Sequence, residues 1–143
     1  MLYFELCRLY HRFRLMHYRN LFSRIREKDG SLSATEAYSV DAIYLLGEPT
    51  IKSFSDFIGI SQSNATYKIN SLISKGYIER IPSADDRREF RLRITDKFFS
   101  YYDRDIPFIA DATNRLREEY SDAELETFER MIRSLCESVK QGQ

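Results

Sequence analysis

Cys7 and His11 lie four residues apart, the spacing that brings two side chains to one face of a helix. A thiol beside an imidazole is the chemistry of a redox sensor or of half a metal site. A metal needs further ligands, and the sequence shows no third or fourth close by; His17 falls on another face of the same helix. The pair therefore reads first as structural, with thiol or metal sensing as the lesser alternative. Catalysis has less support still. No serine, histidine and aspartate set, no ligand cluster and no glycine-rich phosphate loop is present, so neither an enzyme nor a bound metal or cofactor is expected.

The uncharged polar residues between Ser61 and Ser74 suit a different task. Ala65, Ile69 and Leu72 recur at helical spacing and should be buried. At about 100° per residue, Ser63, Tyr67, Asn70 and Ser74 then occupy the opposite face, with Asn64 and Thr66 on its flanks. Such side chains donate to and accept from base edges in the major groove, and the backbone amides following Ser61 favour a phosphate. Gln62, Ser63, Thr66 and Tyr67 are the leading candidate contacts, with Ser61, Asn64, Lys68 and Asn70 beside them. A solvated helix face looks equally polar, so the surroundings must decide between the two readings. Further along, Asp86 and Arg88 are two residues apart, and on extended backbone both project to one side, where the carboxylate can hold the guanidinium in a fixed direction. Lys52, Lys68 and Arg87 are candidate phosphate contacts.

These residues need elements to position them. Leu2, Leu6, Leu9, Phe13 and Met16 mark one face of a first helix running to about Lys28. Ser33 with Glu36 has the form of a capping box opening a second helix that runs to Gly47. Ile51, Phe54, Phe57 and Ile58 give a short third helix. Gly59-Ile60-Ser61 is a tight turn, Ser61 caps a fourth helix, and Gly76 ends it. The runs Tyr77–Ile81 and Phe90–Ile94 flank a polar tip and form a two-stranded wing. Thr95-Asp96 is expected to start a long fifth helix kinked at Pro107, and Ser121 with Glu124 a sixth ending near Lys140.

A short helix, a glycine turn, an amphipathic helix and a hairpin make a winged helix-turn-helix. The run Ser33–Glu36, the turn Gly59-Ile60-Ser61, Gly76-Tyr77-Ile78-Glu79-Arg80, Asp86-Arg87-Arg88 and Ile94-Thr95 resemble the MarR family of bacterial transcription regulators. The likeness covers nearly the whole chain. Such proteins usually carry glycine three residues after the threonine that ends the wing, where this chain has Phe98. The resemblance implies a mainly α fold with a small β wing (α+β). It would form one domain over residues 1–143, with a winged helix-turn-helix at 31–95 flanked by dimerisation helices at 1–30 and 96–143. It also implies that Arg88 enters the minor groove beside the major-groove helix, and that a small aromatic ligand binds between the winged part and the dimer helices. Tyr38, Tyr44, Tyr101 and Tyr102 would line that cleft, although tyrosines at helical spacing are more often partly buried core.

The outer helices point to a second copy. Leu125, Phe128, Ile132, Leu135 and Val139 are spaced by three and four residues, a heptad-like stripe that a protein of 143 residues has little surface to cover. With Leu2, Leu6, Leu9 and Phe13 they would form a two-fold interface, and a homodimer would meet two half-sites of a pseudo-palindrome. The net charge of zero conceals an uneven distribution: +4 over residues 1–30, −3 over 31–49, +3 over 50–100 and −4 over 101–143. A phosphate backbone meets the local field and not the total. Two distant cysteines and the absence of an uninterrupted apolar run point to a cytoplasmic protein outside the membrane. The expected function is a sequence-specific, DNA-binding repressor, dimeric and relieved by a small-molecule effector, with double-stranded DNA as its partner. A winged helix that docks a protein is the alternative.

Overall fold

The computed structural model describes residues 1–27, 32–84, 88–100 and 106–139. In chain order the elements are α1 (Leu2–Glu27), α2 (Ala34–Leu46), α3 (Ile51–Ile58), α4 (Gln62–Ser74), β1 (Ile78–Pro82), β2 (Phe90–Ile94), a 3₁₀ helix (Asp96–Ser100), α5 (Pro107–Glu119) and α6 (Asp122–Ser138). Internal contacts divide the chain into two compact units, residues 1–102 and residues 103–143.

In the first unit, short polar residues start α2, α3 and α4. The Ser33 amide donates to the Glu36 carboxylate at 2.8 Å and the Glu36 amide to Ser33 Oγ at 3.2 Å, the reciprocal bonds of a capping box. Thr50 Oγ1 accepts from the Ser53 amide at 3.0 Å, and Ser61 Oγ from the Asn64 amide at 3.2 Å. Amides that would lack a partner in the first turn are thereby satisfied. The helices enclose Val40, Ile43, Phe54, Ala65, Ile69 and Leu72, together with Leu21 of α1, Leu92 of β2, and Tyr77 and Ile78. β1 and β2 pair antiparallel, Ile78 opposite Ile94 and Arg80 opposite Leu92. The hairpin is anchored at its base, where the Leu92 amide donates to the Pro49 carbonyl at 2.9 Å and Thr50 bridges Arg91.

Two expectations are corrected. The first strand begins at Ile78, not at Tyr77, because the Tyr77 amide closes the end of α4 by donating to the Leu72 carbonyl at 3.0 Å. The fifth helix does not run from Asp96 through a kink at Pro107. Asp96–Ser100 is 3₁₀, and Pro107 opens α5 in its first turn, where a residue without an N–H and with φ preset costs nothing. Phe98, standing where a glycine was expected, is 1% exposed and packs against Tyr44, the rings tilted at 43° with centroids 5.1 Å apart. In the second unit, Ser121 holds Glu124 through its amide at 2.9 Å and its hydroxyl at 2.7 Å, and neither α5 nor α6 has a buried residue.

Candidate nucleic-acid interface

Gly59 turns the chain between α3 and α4 at φ +69°, a left-handed conformation that suits a residue without Cβ. Ala65, Ile69 and Leu72 are fully buried, as the spacing required, and this orients the rest of α4. Gln62, Ser63, Asn64, Tyr67, Asn70 and Ser74 are exposed, Tyr67 at 79%, while Thr66 and Lys68 are half-buried on the flanks. Several hydroxyls are already engaged by the helix: Ser61 Oγ in its cap, Thr66 Oγ1 donating to the Gln62 carbonyl at 2.8 Å, and Ser74 Oγ to the Ser71 carbonyl at 2.7 Å. Each such hydroxyl keeps part of its bonding capacity. Asn70 Oδ1 accepts from Arg80 Nη2 at 2.7 Å, linking α4 to β1.

Arg88 lies exposed in the turn of the wing; Asp86 and Arg87 fall outside the described residues. The base of the wing is braced by Glu48, a non-glycine residue at φ +58°. Its carboxylate accepts from Arg93 Nε at 2.6 Å, and its carbonyl from Arg91 Nη1 at 3.3 Å. Lys52 is paired with Asp56 at 2.7 Å, and that carboxylate raises the Lys52 pKa. As a phosphate candidate Lys52 thus carries its own counter-charge. A network that sequence reasoning missed ties α2 to α4. Lys75 Nζ donates to both Glu36 oxygens at 2.8 Å, and Ser71 Oγ donates to Oε1 at 3.1 Å. Burial alone would raise the Glu36 pKa, but the donors Lys75, the Ser33 amide and Ser71 prevail and lower it to about 2.

The model of the MarR family matches residues 32–90, from the cap of α2 to the first residue of β2. Over those residues the winged helix-turn-helix is similar to the MarR family of transcription regulators. The HTH-type transcriptional regulator BilQ of Clostridioides difficile is 32% identical over 65 residues. That stretch is 46% of this chain and 44% of the regulator, so the match spans less than half of either protein. The fold is also that of a transcriptional regulator from Thermotoga maritima, with a TM-score of 0.54 at 20% identity, 94% of this chain and 98% of the other being covered. FabT of Streptococcus pneumoniae, solved in complex with DNA, superposes with a TM-score of 0.52 at 20% identity, covering 94% and 97% of the two chains.

The MarR match includes every residue between Lys52 and Arg88 named above as a DNA contact, and leaves the outer helices outside it. There the apolar stripes stand uncovered within this chain. Leu2 is 73% exposed, Leu9 42%, Phe128 47% and Val139 67%; Phe13 and Leu135 are also exposed, and Leu6, Leu125 and Ile132 half-buried. Between α5 and α6, Leu116, Tyr120, Leu125, Phe128 and Met131 line an apolar groove of about 500 Å³. Of the four tyrosines, Tyr101 and Tyr102 lie outside the described residues. Tyr44 joins Phe98 and Phe99, while Tyr38, six residues earlier on α2, points about 120° away from it. Cys7 is half-buried and Cys136 exposed, both as free thiols. Among the described residues no three histidine, cysteine or acidic side chains gather to hold a metal, and no helix is long and apolar enough to cross a membrane. His17 faces Asp41 of α2 at 3.9 Å; burial raises the Asp41 pKa and His17 offsets part of that rise.

Proposed function

We propose that this chain is a MarR-family DNA-binding repressor that acts as a homodimer on a pseudo-palindromic operator. The observation that carries the reading is the exposed, uncharged face of α4, oriented by three fully buried residues and flanked by a hairpin with Arg88 in its turn. Gln62, Ser63 and Tyr67 meet base edges in the major groove, the amides behind Ser61 take a phosphate, and Arg88 reaches the neighbouring minor groove. FabT, which shares this fold, was solved in complex with DNA, and this supports a DNA partner. The uncovered apolar stripes of α1 and α6 support a two-fold assembly, in which two copies of α4 lie about one turn of DNA apart. Release by a small aromatic effector is the last part of the reading, with Tyr44, packed against Phe98 and edge-on to Phe99, as the ring next to which it would bind.

Salt dependence tests the DNA partner. If about six phosphates are neutralised, log affinity for duplexes enriched from a random pool falls against log salt with a slope near −5. A flat response would refute a DNA partner and favour a protein docked on α4.

A further inference from the structure

Asn70 and Arg80 meet where α4 and the wing adjoin. Arg80 falls on the same side of β1 as buried Ile78 and lies opposite buried Leu92, so its stem leaves the core beside α4, and Nη2 reaches Asn70 Oδ1 at 2.7 Å. Both side chains are exposed. Three other cations of this unit are matched by carboxylates: Lys52 by Asp56, Lys75 by Glu36 and Arg93 by Glu48. Arg80 has a neutral amide instead, and among the described residues it makes no ion pair. Its charge is therefore aimed without being cancelled.

The bond also restricts what Asn70 offers. With Oδ1 engaged, the pair presents donors, from the Asn70 amide nitrogen and the remaining guanidinium N–H groups. Duplex DNA has two matching acceptors, the phosphate oxygens and the O6/N7 edge of guanine. Position decides between them. Asn70 comes eight residues after Gln62, about 12 Å along the axis, whereas the N-terminal residues of a recognition helix are those that contact base edges. We infer that Arg80, oriented by Asn70, is a clamp on the DNA backbone at the joint between α4 and the wing. The inference rests on the DNA-binding reading above and adds a contact to it.

The test compares the parent chain with Arg80→Ala, Arg80→Lys and Asn70→Ala on duplexes that the parent enriches from a random pool, over a range of salt. Arg80→Ala is expected to lower affinity about tenfold on every such duplex and, with two clamps per dimer, to flatten the salt slope by about 2. Arg80→Lys keeps the slope but loses part of the affinity, because an ammonium lacks the planar fork. Asn70→Ala also keeps the slope and loses affinity several-fold. Thermal melting should be nearly the same for all four, since one exposed contact contributes little to folding. An unchanged slope for Arg80→Ala overturns the clamp, as does a loss confined to duplexes with guanine at one position. If Arg80→Ala melts early, the slopes of Arg80→Lys and Asn70→Ala decide, and a flattened slope in either overturns the assignment. A parent that binds no duplex removes the DNA reading and the clamp together; a parent that binds as well as Arg80→Ala, with the same slope, removes the clamp alone.

Discussion

Glu36→Gln probes the joint that fixes α4 against α2 and hence the orientation of the proposed reading face. The Glu36 side chain is 22% exposed, and its carboxylate takes two bonds from Lys75, one from Ser71 and one from the Ser33 amide. Burial opposes ionisation, yet these donors bring the pKa from 4.5 to about 2. A shift of that size corresponds to about 3 kcal/mol in a dry site. Lys75 is 36% exposed, and screening by water reduces the expected contribution to about 1–2 kcal/mol. The folded pKa lies below the unfolded one, so the stabilisation is complete above about pH 4.5 and declines as the pH falls towards 2. Glutamine keeps one oxygen for the Ser33 amide but removes the charge and turns the second oxygen, an acceptor for Lys75 and Ser71, into a donor. Urea denaturation followed by circular dichroism, at fixed protein concentration and a series of pH values, should show Glu36→Gln less stable by about 1–2 kcal/mol at neutral pH. The gap should narrow steadily below about pH 4.5. A gap that is absent at neutral pH, or constant down to acid, refutes the account of this network.

Other outcomes follow from the same structure. Arg88→Ala should weaken operator binding while leaving the melting temperature unchanged; equal affinity on a titrated operator removes the wing from the mechanism. Light scattering should give the mass of two 17.0 kDa chains, and a monomer at micromolar concentration contradicts the two-half-site geometry. Ser61→Ala deletes the cap of α4 and should cost about 1 kcal/mol of stability, measured by the same urea titration. No loss would mean that the Asn64 amide finds another acceptor.

The helices and the wing were legible in the sequence because their signals are local. Ser33 with Glu36, Thr50 and Ser61 stand next to the turns that they cap, and the spacing of Ala65, Ile69 and Leu72 was enough to orient α4. The misses fall at the ends of elements and where one element meets another. Tyr77 has the composition of a strand residue, but the carbonyl of Leu72 captures its amide. Pro107 within an apolar, charged run suggested a kink, whereas the chain before it is already 3₁₀ at Asp96–Ser100. Phe98 is explained by Tyr44, more than fifty positions earlier. The Glu36–Lys75 and Asn70–Arg80 bonds join different elements, and no spacing rule within one element reveals them. Alternation along β1 from Ile78 would have pointed Arg80 to the inner face.

Selection of bound duplexes from a random pool tests the central claim most directly, because it examines DNA recognition, symmetry and spacing at once. The account expects one enriched pseudo-palindrome with half-site centres about 10 base pairs apart, lost when the α4 face is altered at Gln62, Ser63 and Tyr67. A pool without any enriched motif, or with a single asymmetric site unaffected by those substitutions, would contradict it.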